Sequence, residues 1–417
     1  MARTVFTNAN LVDGEHPAKP GVTVVVDGER IASVGVGQVT ETRPDDRVVD
    51  LGGRTLMPGM VTCHYHSTYH ELGSFTAPYG LEEPPAMQAL RAAKNLELAL
   101  MCGFTGAVGA GAAHEIDASM KRAIDAGVVV GPRFVPSGRE LSTTGHGNDN
   151  SPYYWGVGAP GAARLCDGPS EFRHAVRDEI KRGAEIIKLF VTGGHGTTAP
   201  KDRLEMTREE LVAAVETAHS RDALIRGHIA SKAGILLALD AGMDVIDHAD
   251  DLDAECIDRA AEQGTFIAPS IYFPSAFLEQ MGGRGLGFTD SIKADLEHMY
   301  EVLPLANAAG VKLVVGDDYG AVGFPHGRYA HELEVYVRDA GIPALEVIRW
   351  ATKHGAELMR RGDELGTVAE GKLADLVVVD GDPLDDITVL QDRDRILAVM
   401  KGGEFFKDAI PAAAPEG

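Results

Sequence analysis

The chain has 417 residues, 44% apolar and 24% charged, which suits a large barrel with an accessory domain or two to three ordinary domains. Its 39 basic against 62 acidic residues give a net charge of −23, and such a surface repels nucleic acid and anionic membranes, so neither is expected as a partner. No run of about 18 apolar residues occurs, so no transmembrane helix is expected, and Cys63, Cys102, Cys166 and Cys256 show no CxxC pairing, which points to a reducing cytoplasm.

In chain order, residues 1–56 alternate short β-rich runs with turns: Thr4 to Leu11, then Gly21 to Val26, an Asp27-Gly28 turn, and Arg30 to Val34. The Asp-Gly between β-branched runs is a hairpin signal, and the N-terminus reads as a strand, without the apolar core of a signal peptide. Met57 to His66 then leaves a Pro58-Gly59 turn as an apolar strand and ends in His64-Tyr65-His66. Residues two apart on a strand share a face, so both histidines can reach one metal ion. Alone, such a pair reads more readily as two solvated or hydrogen-bonded histidines. Cys63 alternates away from them and is not expected as a ligand.

From 57 to 361 the rhythm is strand, loop, helix. Strands are expected at Met60 to His66, Thr105 to Ala110, Arg133 to Ser137, Ile186 to Thr192, Leu224 to Ile229, Asp244 to His248, Thr265 to Ser270 and Lys312 to Asp317. Helical patterns lie between them, at Ala86 to Cys102, Ser170 to Arg182, Arg208 to Arg221, Ala254 to Gln263 and Ser291 to Ala309. Eight such units predict an α/β fold, a (β/α)8 TIM-like barrel. A doubly wound sheet would want a Gly-rich phosphate turn where this chain has histidines. β-rich segments return after 362, at Leu365 to Val368, Ala374 to Asp380 and Ile396 to Met400. The barrel is therefore expected to be inserted in a small β-sandwich formed by both chain ends, 1–56 and 362–417, with Ile410 to Gly417 as a mobile tail.

Barrel enzymes gather their chemistry at the C-terminal strand ends. The first strand ends in His64 and His66, the fourth carries Lys188, the fifth ends near His228, the sixth in His248, and the eighth in Asp317 and Asp318. These are ligand types for zinc or a similar ion, and scattered core histidines would not choose strand ends so consistently. Lys188 lies inside Ile186-Ile187-Lys188-Leu189-Phe190-Val191, where an unpaired ammonium is costly. It either pairs with a neighbouring carboxylate or, as a neutral amine, adds CO2 to give a carbamate that bridges two cations.

These residues resemble the amidohydrolase superfamily, and within it the imidazolonepropionase-like and prolidase-like (Xaa-Pro dipeptidase) enzymes. Pro58-Gly59-Met60-Val61 with His64-Tyr65-His66 looks like the first-strand signature, and Ile187 to Gly194 is similar to the carboxylated-lysine strand. Asp247-His248-Ala249 and Gly316-Asp317-Asp318 resemble the sixth- and eighth-strand motifs, and Gly371 to Leu376 and Asp380 to Leu384 extend the likeness to the C-terminus.

The resemblance implies a binuclear hydrolase that cleaves an amide C–N bond of a dipeptide, an N-acyl amino acid or a related small amide. One metal would be held by His64, His66 and Asp318, the other by His228 and His248. Carboxylated Lys188 and a hydroxide would bridge the two divalent ions, zinc by expectation, with Asp318 as base and then acid. Asp318, Lys188 and His248 are thus the expected catalytic set. His146, His326 and Arg328 are expected substrate contacts, joined without a specific role by Tyr65 and His195.

Two departures touch the pocket. The fifth strand has His228-Ile229-Ala230 where many relatives have His-Ala-His, and His195 stands where a small or apolar residue is expected. Alternatives are a mononuclear deaminase or imidazolone-type ring hydrolase, a carbamate or ester hydrolase, and a non-catalytic barrel. A homo-oligomer acting on small molecules is expected.

Overall fold

The computed structural model describes residues 3–37, 43–71, 80–146, 148–149, 154, 161–195, 197, 199–281, 289–321 and 323–411. The expected mobile tail lies outside the described residues from 412 onward.

Eight parallel strands follow one another around a barrel: Met60–Tyr65, Phe104–Gly109, Arg133–Val135, Ile186–Phe190, Leu224–Ile229, Val245–His248, Phe266–Ala268 and Lys312–Leu313. The third continues past Pro136 as Ser137–Ser142, which pairs with the fourth. Closure is made by backbone: Val314 N donates to Ile267 O at 3.0 Å, extending the pairing of the seventh and eighth strands, and Cys63 N donates to Val315 O at 2.6 Å, joining last strand to first. The first, second, fourth, fifth and sixth strands are buried along their whole length, as parallel strands covered on both faces must be.

Helices cover the outside, and their ends are set by local chemistry. Thr207 and Glu210 form a reciprocal capping box before Arg208–His219. Ser231 caps Lys232–Ala241, and Asp253 caps Ala254–Gln263. Both of these helices stop at a left-handed glycine, Gly242 and Gly264. The expected helices are present at Pro85–Met101, Pro169–Arg182, Arg208–His219, Ala254–Gln263 and Thr289–Ala308. Helices Ile116–Asp125, Lys232–Ala241 and Tyr272–Met281 were not among the expected patterns, and neither was the edge strand Ala163–Leu165.

Inside the barrel, below the histidines, Val61, Cys63, Val108, Val135, Ile186, Leu224, Val245 and Val314 form one apolar plug. The pairing of the first two strands shifts register between Thr62 and Tyr65. Such an irregularity re-aims side chains, and it lies where the strand changes from apolar filling to ligand-type residues. Cys63 sits in the plug, on the interior side, where the register irregularity sets it rather than on the opposite face that simple alternation predicts, and it is not a member of the ligand cluster.

Among the described residues, both chain ends join in one hydrogen-bonded eight-stranded sheet. Its hub is Thr55–Pro58, parallel to Thr4–Leu11 and antiparallel to Leu376–Val379. One residue later the chain enters the first barrel strand. Gly59 is needed at that passage, because a Cβ there would lie 2.0 Å from Thr105 Oγ1. Arg133 of the third barrel strand is paired with Asp375 at 2.8 and 3.0 Å, a second tie between barrel and end sheet.

Candidate metal centre

Three acceptor atoms meet at the barrel mouth. His64 Nε2 and His66 Nε2 are 3.1 Å apart, and Asp318 Oδ1 lies 3.2 and 3.1 Å from them. The tautomers follow from the other ring nitrogens. His66 Nδ1 donates to the Gly111 carbonyl at 2.9 Å, and His64 Nδ1 lies 3.2 Å from Ser270 Oγ, whose own hydrogen goes to Gly316 O at 2.9 Å. Each Nε2 therefore carries a lone pair aimed at the other ring. Facing lone pairs and a carboxylate oxygen at this spacing repel unless a cation lies among them; for metal–ligand bonds of about 2.0–2.1 Å, tetrahedral neighbours stand about 3.3 Å apart.

His248, at the end of the sixth strand, brings its ring to 5.2 Å from His64 and 4.4 Å from His228. Its Nδ1 is buried with no hydrogen-bond partner. His64, His248 and Asp318 each offer a ligand atom within 4.8 Å of the others. Burial disfavours the charged imidazole, pushing His64 down to about 4 and His228 and His248 well below their ordinary value, so the rings are neutral as ligation requires. Burial opposes ionisation of Asp318, but His64 beside it holds the carboxyl well below the usual range. Its side chain is 20% exposed, against 0% and 2% for His64 and His66, so it faces the mouth.

Backbone makes this convergence possible. Gly316 has φ +142°, and a Cβ there would stand 2.1 Å from His64 N, so only glycine lets the eighth strand bring Asp318 beside the first. His248 and Ala249 turn out of the sixth strand at φ +74° and +57°, a left-handed pair that re-aims the ligand ring.

Lys188 and His228 flank the cluster and are held by other partners. Lys188 Nζ donates to Asp247 Oδ2 at 2.6 Å. Arg226 grips the same carboxylate with two nitrogens, one at 3.1 Å, and donates to Cys63 O at 2.6 Å and Gly109 O at 3.1 Å. Burial works against a charged Asp247, yet Arg226 and Lys188 keep it ionised far below the usual carboxylate range. His228 Nε2 donates to Gly194 O at 3.1 Å, and its ring stacks on Phe190 at 4.7 Å.

Of the expected substrate contacts, His195 alone is brought to the cluster, with its ring stacked on His248 at 3.8 Å. His146 has both nitrogens occupied: Nε2 donates to Thr192 O at 3.3 Å and Nδ1 accepts from Asn148 N at 3.2 Å. His326 is likewise engaged, donating from Nε2 to Tyr69 O at 3.2 Å and accepting the Tyr329 hydroxyl at 3.0 Å, and burial pushes it down to about 3. Tyr65 is buried against Phe134, His326 and Tyr329, on the side of the strand away from the two histidines. Arg328 is exposed and bonds the Tyr272 hydroxyl.

A supporting layer lies behind the expected ligands. Tyr69 stacks on His66 at 3.8 Å and donates its hydroxyl to Glu140 at 3.1 Å, and Glu140 also accepts from Asn148. Arg226, in Leu224-Ile225-Arg226-Gly227-His228-Ile229, was detectable by the signal that exposed Lys188, a charge inside an apolar strand, whereas Glu140, in the polar strand Ser137–Ser142, was not. Tyr69 carries no such signal.

A parallel eight-stranded barrel with buried neutral histidines and a carboxylate at its C-terminal mouth is the architecture of a barrel hydrolase. The sequence pattern of the Amidohydrolase family matches residues 55–406. Ochratoxinase of Aspergillus niger is 31% identical over 99% of this chain and 88% of its own. Among solved structures, a Xaa-Pro dipeptidase with bound methionine in its active site superposes with TM-score 0.86 at 28% identity, covering 97% of this chain and all of that one. A prolidase complexed with N-methylphosphonate-L-proline superposes with TM-score 0.85 at 31% identity, covering 98% and 100%. The chain belongs to the amidohydrolase family and is a hydrolase acting on amide C–N bonds.

Proposed function

We propose that this chain is a binuclear metal-dependent amidohydrolase that cleaves the C–N bond of a dipeptide, an N-acyl amino acid or a related small amide. The observation that carries the proposal is the meeting of His64 Nε2, His66 Nε2 and Asp318 Oδ1 at 3.1–3.2 Å, three electron pairs converging with no proton between the rings. His248 Nδ1, buried and unpartnered, adds a fourth donor. The residues therefore fit a cation. His64, His66 and Asp318 would hold one ion, and His228, His248 and a carboxylated Lys188 the other. When bound, these ions, zinc by ligand type, supply Lewis acidity that polarises a carbonyl and eases ionisation of water.

The chain's own residues do the rest. Asp318, at the open side, accepts a proton on its carboxylate from the attacking water and returns it to the leaving amine nitrogen. His66 is held in register by Gly111 O and by Tyr69 stacked on its face, and His64 by Ser270. Arg226 keeps Asp247 charged and in place after Lys188 is carboxylated, when the lysine no longer compensates it. The substrate class rests on the names of the relatives, a dipeptidase and a prolidase bound to a proline derivative among them.

A second reading, one metal and a deaminase or cyclic-amide hydrolase, is favoured by the present partners of Lys188 and His228, which leave His64, His248 and Asp318 as the tighter group. Metal counting on the purified chain, combined with a hydrolysis screen over dipeptides, N-acyl amino acids, carbamates and cyclic amides, separates the two. Two ions per chain and amine release support the first reading, and one ion with ring opening or ammonia release the second.

The same proposal takes 1–56 and 362–417 as a discontinuous β-sandwich domain around a barrel at 57–361, supported by Thr55–Pro58 pairing with strands from both ends. It places the enzyme in the cytoplasm, in keeping with four free, buried cysteines.

A further inference from the structure

His195 is the one expected substrate contact that reaches the centre, and it is held in an unusual way. Its backbone is left-handed, φ +41°, and its side chain is 4% exposed. Nδ1 lies 3.0 Å from Asp250 Oδ1. A carboxylate only accepts, so Nδ1 carries the hydrogen and the neutral ring has its lone pair on Nε2. That nitrogen is buried and has no hydrogen-bond partner. A histidine whose remote nitrogen is fixed by a carboxylate while the near one is free has the arrangement of a metal ligand.

Opposite it stand two adjacent carboxylates. His195, Asp317 and Asp318 each offer a ligand atom within 4.8 Å of the others. Asp317 is fully buried, with its oxygens fixed by Phe273 N at 2.9 Å and Asp318 N at 2.7 Å, and each oxygen keeps a second lone pair.

We infer that His195, Asp317 and Asp318 form a further divalent-cation position, sharing Asp318 with the His64–His66 ion. Its ligands are two oxygens and one imidazole nitrogen, which suits zinc, manganese or cobalt(II). The position rests on the proposed binuclear centre only in sharing Asp318.

The test is metal counting on the full chain, stripped with a chelator, reloaded with zinc or cobalt(II), and read by elemental analysis and by the cobalt visible spectrum. His195→Gln is expected to hold one cation per chain fewer than wild type and to lose part of the cobalt absorption, with its unfolding transition retained. An unchanged count and spectrum in His195→Gln overturns the inference. Lys188→Ala, run in parallel, removes the ion of the binuclear reading and leaves the His195 ion. Loss in one variant without the other therefore shows which of the two claims has failed. Should His195→Gln not fold, Asp317→Asn takes its place with the same two outcomes.

Discussion

Asp318 is the residue on which chemistry and binding meet. It completes the three-atom cluster with His64 and His66, and it is the most exposed member of that cluster. Asp318→Asn keeps an oxygen ligand and removes the proton acceptor. It is expected to lower kcat by about 10²–10⁴-fold, the usual worth of a general acid–base, while metal content stays close to wild type; steady-state kinetics on metal-quantified protein checks it. Tyr69 acts on a smaller scale. Its ring covers His66 and its hydroxyl reaches Glu140, so Tyr69→Phe keeps the stack and loses the bond. A net loss of about 0.5–1.5 kcal/mol in stability is expected from one such bond, measured by denaturant unfolding. The ligand residues were legible in the sequence because each stands at a strand end or interrupts an apolar run, as Lys188 does in Ile186 to Val191. Tyr69 was not, because its stacking on His66 and its bond to Glu140 join residues up to 71 positions apart.

Among the elements, the fifth and sixth strands carry the largest electrostatic risk. Their register sets His228 beside Asp247 and Ile229 beside His248, which lets Arg226 reach across to the Asp247 carboxylate. Arg226→Met leaves that buried carboxylate with Lys188 alone. A loss of about 3–5 kcal/mol in unfolding free energy is expected, the cost of breaking a buried pair from one side. The helix Ile116–Asp125 supplies a pH dependence. Asp117 accepts from Ser67 and from Ser137 N at 3.1 Å, and burial pushes it up to about 7 from an ordinary 3.8. The folded chain then binds more protons than the unfolded one between these values, so this carboxyl makes the fold less stable as pH rises through that window. Asp117→Asn should gain stability on wild type at pH about 8 and little or nothing at pH about 4; thermal unfolding at both pH values reads the difference. A variant whose deficit grows with pH would contradict the assignment. The barrel rhythm was readable because eight apolar runs alternate with helical patterns. The short strand Ala163–Leu165 and helix Tyr272–Met281 were not, since tertiary pairing rather than periodicity defines them.

At the scale of the molecule, the end sheet and barrel are linked through Pro58 and Gly59, so the sheet strand Thr55–Pro58 and the ligand strand Met60–Tyr65 are one continuous piece of chain. The return of β-rich runs after residue 362 announced that both ends build together. The single eight-stranded pairing depends on the parallel contact of Thr4–Leu11 with Arg47–Asp50 and Thr55–Pro58, and no local pattern announces that. Because the ligands come from both ends of the barrel segment, His64 on the first strand and Asp318 past the last, an ion bound among them closes a long loop. Stripping it should lower the unfolding temperature of the whole chain, and reloading should restore it. The central claim is that His64, His66, His248 and Asp318 form a metal centre that hydrolyses amide C–N bonds. It is tested most directly by following amine release from a responsive dipeptide or N-acyl amino acid before metal removal, after chelation, and after zinc is returned. Activity is expected to disappear with the metal and return with it; a metal-free chain that hydrolyses the amide at the original rate would rule out this centre as the site of hydrolysis.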